Sequence, residues 1–304
     1  MNQYLKLAGI ALFASAIAAC SGIGSSVPSQ PPQPSMSSSM DLSNVHVMRT
    51  RFSESFDLQP NVQLTYGGGP VLQKPLVYIV YWGFAGPSND PSGEQTYLTN
   101  FVSGVGGSHW MNITHQYYQI NHLGTHQKIK NTVGQLAGTW VDLTNPVPSA
   151  PTDGQIQTEA QNLEAHFGFS KYASYVVATP HDHNSPGFGT QYCAYHGASN
   201  SAHGLIAYTN LPYMTDAGFN CGENFINSGP GGLLDGVSIV EGHEYAESQT
   251  DPHPFSGWNS SQGEIGDLCA WLKPPAGDIT LSTGTFAVQG LWSNANSNCV
   301  IHFP

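Results

Sequence analysis

The sequence predicts an α+β fold: a mixed sheet with packed helices, in a loop-rich chain held by two disulfides. Three observations predict it. Leu76–Trp82 and Tyr172–Ala178 are short apolar runs rich in β-branched and aromatic residues, which read as buried strands. Asp153–Phe167 between them is amphipathic with helical spacing, and such alternation suits a sheet covered by helices. Finally, 34 glycines and 21 prolines against 9% charged residues describe a chain with many turns and few solvated charged faces.

The chain begins with a targeting pattern. Lys6 supplies a positive start, and Leu7–Ala19 is an apolar core too short to span a bilayer comfortably. Ile17-Ala18-Ala19-Cys20 is similar to the lipobox of bacterial lipoproteins, with residues 1–19 as signal peptide and Cys20 as the lipidated first residue. Ser21 fits an outer-membrane sorting pattern. Residues 20–60 read as a Ser/Pro-rich tether and 61–304 as a single exported domain. The expectation is a protein lipid-anchored in the bacterial envelope, at the outer membrane or cell surface, or else secreted. Membrane contact would run only through Cys20. A net charge of -12 excludes nucleic acid as a partner, since that needs a basic surface.

Export also bears on the cysteines. Beyond Cys20 four remain, Cys193, Cys221, Cys269 and Cys299, and an even count in an oxidising compartment reads as two disulfides with three connectivities open. Sequence order suggests Cys193–Cys221 and Cys269–Cys299. Each would close a loop of about thirty residues, for roughly 3 kcal/mol in the chain-entropy picture.

In chain order, Gly67–Pro70 leads into the first strand. Gln95–Val105 and Trp110–Ile120 look helical, and Lys128–Leu143 looks strand-like, interrupted by Gly134 and Gly138. Asp153 stands as the cap of the amphipathic helix. His181-Asp182-His183 reads as a solvated turn, Leu205–Tyr208 as an apolar piece, and Asn220–Gly232 as a glycine-rich loop. A helix then starts at Asp235 as N-cap, is partly buried through Val237–Val240, and stops at Asp251-Pro252. Phe286–Trp292 alternates like a strand.

That helix carries the chemistry. His243-Glu244-Tyr245-Ala246-Glu247 is the zinc-protease helix pattern H-E-x-x-H with glutamate in the second histidine position, so the helix is zincin-like. Residues four apart share a face, which lets His243 and Glu247 grip one ion. Glu244 is placed to take a proton from a metal-bound water. A catalytic zinc takes a third protein ligand. His253 is ten residues after His243, as in metzincins, and Glu264 is seventeen after Glu247, near the thermolysin-like arrangement. Glu264 is preferred because Pro252 and Pro254 hold His253 in a loop. Asp267 then serves as acceptor for the free ring nitrogen of His243. His196 is a fourth ligand, a donor that polarises a carbonyl oxygen, or a structural hydrogen-bonding group beside a disulfide. The metal expected is zinc, with calcium or manganese as alternatives because two carboxylates harden the site.

These residues resemble, in order and spacing, the plant phosphate-induced or EXORDIUM family and its bacterial relatives. The resemblance rests on Tyr78–Gly83, Cys193-Ala194-Tyr195-His196, Cys221, Val240–Glu247, Thr250-Asp251-Pro252, Trp258, Gly263–Cys269 and Cys299, and covers roughly residues 75–304. It implies an extracellular protein linked in plants to growth and the cell wall. The lipobox departs from the plant members, as does Tyr245 at a position they give to an aliphatic residue. Two functions are expected. One is an exported metal-dependent hydrolase, a zinc endopeptidase acting on peptide, protein or cell-wall material, with Glu244 and His196 catalytic and His243, Glu247 and Glu264 on the ion. The other is a non-catalytic surface protein that binds glycan or protein, with the same cluster as a structural metal or carboxylate network.

Overall fold

Leu76–Trp82 has almost no polar side chains because both of its faces are covered. In the computed structural model, which describes residues 42–53 and 62–304, this strand lies inside a six-stranded sheet. The strands are β1 (Val45–Arg49), β2 (Leu76–Trp82), β3 (Leu136–Asp142), β4 (Ala173–Ala178), β5 (Tyr192–Ser201) and β6 (Gly204–Leu211). Their order across the sheet is β1-β5-β6-β4-β2-β3. β3, β2, β4 and β6 run parallel, while β6–β5 and β5–β1 are antiparallel, so the sheet is mixed. The expected signal segment, Cys20 and the first part of the expected tether lie outside the described residues.

Side chains alternate across the pleat, which divides the core. Val77, Ile79 and Tyr81 join the layer beneath helices α1 (Glu94–Val105) and α3 (Asp235–Thr250). Val80 and Trp82 join Tyr175, Val177, Tyr195 and Tyr208 under α2 (Asp153–Phe167). A parallel strand buried on both faces reads as a continuous apolar run. The expected disulfides are both present: Cys193–Cys221 ties β5 to the glycine-rich loop, with 5.4 Å between Cα atoms, and Cys269–Cys299 ties the tail, with 5.6 Å.

Several local expectations are corrected. Thr152, not Asp153, caps α2, and its backbone N–H donates to Gln155 Oε1 at 2.9 Å in a capping box. Leu234, not Asp235, precedes α3; the Asp235 carboxylate instead accepts the backbone N–H groups of Ile226 and Asn227. Trp110–Ile120 is a short 3-10 helix, Met111–Gln116, followed by a strand that pairs with His126–Lys128. The alternation of Phe286–Trp292 is broken at Gln289-Gly290 between two strands. Residues 20–60 include β1, which pairs with β5 in register Val45↔Gly197 to Met48↔Ala194. Composition hid this strand, because five residues after a Ser/Pro-rich run carry little weight.

All sixteen residues of α3 are buried. The sheet covers one side, and Trp110 and the hairpin Gly277–Val288 help cover the rest. Gly242 sits beneath Trp110, where a Cβ would lie 2.8 Å from the indole ring. Ser238 donates to the Ala287 carbonyl at 2.6 Å. A helix buried all round carries polar residues only where they have partners or a task.

Away from α3, α2 and β3 bury an acid pair, Glu159 and Asp142. Burial alone would raise Asp142, but donors at Thr144 and Asn145 hold it below the usual range. Burial, reinforced by Asp142, pushes Glu159 up to about 7. The folded state thus holds a proton that the unfolded chain releases near its ordinary pKa, so this group's contribution falls as pH rises through that window. Relative to wild type, Glu159→Gln should gain roughly 1–2 kcal/mol between pH 5 and pH 8, the full shift being reduced by solvent screening. Denaturant melts across that range test this; a pH-independent difference would rule out a proton held on Glu159 in the folded state.

Candidate metal centre

Three elements and one loop converge on a single buried point. α3 supplies His243, Glu244 and Glu247, all with no exposed surface. Being four apart, His243 Nε2 and Glu247 Oε1 come within 3.1 Å. β5 supplies His196, whose Nδ1 lies 3.1 Å from Glu244 Oε2 and 3.5 Å from Glu247 Oε2. The loop after α3 supplies Glu264, with Oε2 3.6 Å from His196 Nε2, and Asp267, with Oδ1 3.6 Å from His243 Nε2. β1 adds His46, paired with His196 in the sheet and stacked on its ring at 5.9 Å. Its Nε2 is 3.4 Å from Glu264 Oε1 and its Nδ1 is 3.2 Å from Asp267 Oδ2.

The contacts are close, yet many are not hydrogen bonds. His196 Nε2, His243 Nε2, Glu247 Oε2 and both oxygens of Glu264 are fully buried without a hydrogen-bond partner. Among the described residues, the ion pairs of Glu244, Glu247, Glu264 and Asp267 are all with histidine. A buried carboxylate without a compensating cation costs several kcal/mol. Such a cluster must take up protons or metal ions. In this cluster two sets, His196/Glu244/Glu247 and His46/Glu247/Asp267, each bring their donor atoms within 4.8 Å of one another, with Glu247 common to both.

Protons alone would load the cluster heavily. Burial would lower His243, but Glu247, Glu244 and Asp267 raise it to about 10. Burial also opposes the rise of His46, which Asp267, then Glu247 and Glu244, carry to about 9. Burial pushes Glu264 well above the usual carboxylate range, and Glu247, Asp251 and Asp267 push it further. Burial raises Glu244 as well, against the pull of His196. Asp267 moves the other way, because His46 and His243 outweigh its burial.

Gln289 fixes the His243 tautomer. Its amide nitrogen donates to the carbonyls of Gly266 at 2.8 Å and Gly290 at 3.2 Å. Its Oε1 is therefore the atom that faces His243 Nδ1, at 3.3 Å, and it accepts that ring's N–H. Nε2 then faces Glu247 and Asp267, an arrangement that is repulsive unless a proton or a metal ion sits between them. This corrects the role expected of Asp267, which stands on the Nε2 side of His243. The acceptor on the other nitrogen is Gln289.

The Gly263–Cys269 loop is shaped by close approach. A Cβ on Gly266 would lie 2.6 Å from His243 Nδ1. Gly263 has a φ of +122°, and a Cβ there would lie 2.5 Å from Asp267. Backbone N–H groups of Gly266 and Asp267 donate to Glu247 Oε1 at 3.2 and 3.1 Å, which orients that carboxylate.

Of the residues singled out in the sequence, His243, Glu244, Glu247, Glu264 and His196 all enter the cluster. Glu264 makes its ion-pair contacts with His46 and His196. His253 stays in the turn after α3, where its carbonyl accepts the Ser256 hydroxyl at 2.6 Å. His181 and Asp182 gather on Asp216, which also accepts from Asn184 at 2.7 Å; Asp182 there is exposed. His46 was missed by sequence reasoning. Its signal was the alternation Val45-His46-Val47-Met48, with one polar side chain on the inward face.

Gln289→Leu and Gly266→Ala should each weaken divalent-metal binding about 10–100-fold, the usual cost of losing the support behind a ligand. Competition with a chromogenic chelator would measure it, and unchanged affinity in both variants would remove the supporting role. Comparison with protein-family models, with curated proteins and with solved structures gives no match to this chain, so what the site does is argued from its own chemistry.

Proposed function

We propose that this chain is an exported metal-dependent hydrolase acting on peptide bonds, and that α3 works as a zincin-like helix. The observation that carries the reading is the set of orphaned, fully buried donor atoms of His196, His243, Glu247 and Glu264, which point into one another's space without hydrogen bonding. Orphan donors of both nitrogen and oxygen type suit zinc or manganese; several imidazoles make calcium, which takes oxygen ligands, the poorer fit. Glu247, common to both close donor sets, would hold the ion with His243 at its side; Glu264 would reach it from the side it turns to His196 and His46, with Asp267 at the rim. When bound, the ion would acidify a water and polarise a carbonyl oxygen.

The protein's own groups then divide the work. Glu244 keeps its carboxylate beside the cluster, 3.1 Å from His196 Nδ1, with its other oxygen accepting the Met48 N–H at 3.3 Å. A buried carboxylate with a raised pKa is suited to take a proton and pass it on. His196 lies between Glu244 and Glu264 and is placed to hold or donate a proton from either ring nitrogen. Gln289 keeps His243 in the tautomer that offers Nε2 inward. Two disulfides favour an oxidising compartment, and the lipobox at Cys20 and the EXORDIUM resemblance support export to the envelope.

One observation favours the second reading, a structural metal in a surface-binding protein. The inner members of the cluster have no exposed surface at all. Glu244→Gln separates the two, since it keeps volume and shape but removes the base. It should retain bound metal and thermal stability while losing about 10²–10⁴-fold in casein hydrolysis. His243→Ala should lose metal as well. A wild type inert towards casein and peptide libraries with zinc or manganese supplied would end the hydrolase reading.

A further inference from the structure

The cluster opens to solvent at its rim through His46 and Asp267, whose side chains are 15% and 13% exposed. Both face a cleft of about 820 Å³ that runs between β1 and the loop from Phe255 to Leu272. Inside that rim, His196, His243, Glu244, Glu247 and Glu264 are sealed. His46 is therefore the plug, and β1 carries it.

Among the described residues, β1 is an edge strand of five residues whose one sheet partner is β5, some 150 positions away in sequence. Side chains alternate along it. Val45 and Val47 pack on the layer of Tyr195 and Tyr208, while His46 and Met48 face α3 and the cluster. The pairing slips between Met48 and Arg49, where Cys193 of β5 is skipped. Next to that slip the Met48 N–H donates to Glu244 Oε1 at 3.3 Å. Antiparallel pairing with β5, and an alternate side chain set against the donor atoms, are what an extended peptide supplies when it adds to a sheet edge; the Met48 N–H adds a contact to Glu244.

We propose that Val45–Arg49 is an intramolecular occupant of a groove built to hold an extended peptide antiparallel to β5, and that the centre turns over only in the small fraction of molecules from which this strand has left. The ligand class is an unfolded peptide segment, with main-chain hydrogen bonds to Tyr192–Ser201 and alternate side chains turned to the cluster. The groove stands on the pairing geometry; the latency rests on the hydrolase reading.

Val45→Asp/Val47→Asp loosens the seat of β1 from its far face and substitutes no residue of the cluster; His46 leaves with the strand. A fluorescein-labelled peptide of residues 43–51 should bind this full-length variant saturably, one per chain, at least tenfold more tightly than it binds wild type. Casein hydrolysis should rise at least tenfold in the variant and fall again as unlabelled peptide is added. Equal binding to both proteins, or none to the variant, would overturn the groove. Peptide binding without any hydrolysis would keep the groove and remove the hydrolase reading. Hydrogen exchange on wild type gives an independent check if the variant misfolds. Amides of 46–48 should exchange about 10² times faster than those of β2 and β4, as a separately opening unit does. Exchange as slow as in β2 and β4 would make β1 a permanent part of the sheet and overturn the proposal.

Discussion

Glu244, Glu247 and Glu264 are sealed in the interior, with Asp267 at the rim, and histidines are the only cationic groups paired with them among the described residues. Much of the architecture follows from that constraint. A helix buried all round is a costly place for acids, so the elements against it must bring compensating groups. β5 and β1 bring His196 and His46 in register, the Gly263–Cys269 loop brings N–H donors to Glu247, and Gln289 anchors His243. The loop can approach this closely because Gly266 has no side chain to meet the imidazole.

The parts of this design written in local pattern were legible in the sequence. Buried strands β2 and β4, helix α2 and the pair His243/Glu247 announce themselves through periodicity, and the disulfides through sequence order. Glu264 could be placed by its spacing from the helix. What could not be read depends on contacts distant in sequence. His46 joins the site only because β1 pairs with β5, and nothing near His46 encodes that pairing. Gln289 looked like one more residue in an alternating strand, yet the break at Gly290 turns it to His243. The role given to Asp267 failed for a related reason. Spacing placed it near His243, but which ring nitrogen it faces is set by Gln289 on the opposite side.

The same constraint joins stability to function. A cation that neutralises the cluster would stabilise the fold, because it binds the native arrangement and not the unfolded chain. Closing the site with a strand also strengthens every charge interaction inside by excluding water. A centre assembled partly from an edge strand can be tightly held and yet opened by exchanging that strand.

Native mass spectrometry of the chain as produced, with thermal melts before and after chelation, tests the central claim most directly. The account predicts at least one divalent ion per chain, and a fall in Tm of about 5 °C or more when EDTA strips it. A chain that carries no ion, binds none when zinc or manganese is added, and melts identically with and without EDTA would contradict it. The cluster would then be a proton-sharing carboxylate network.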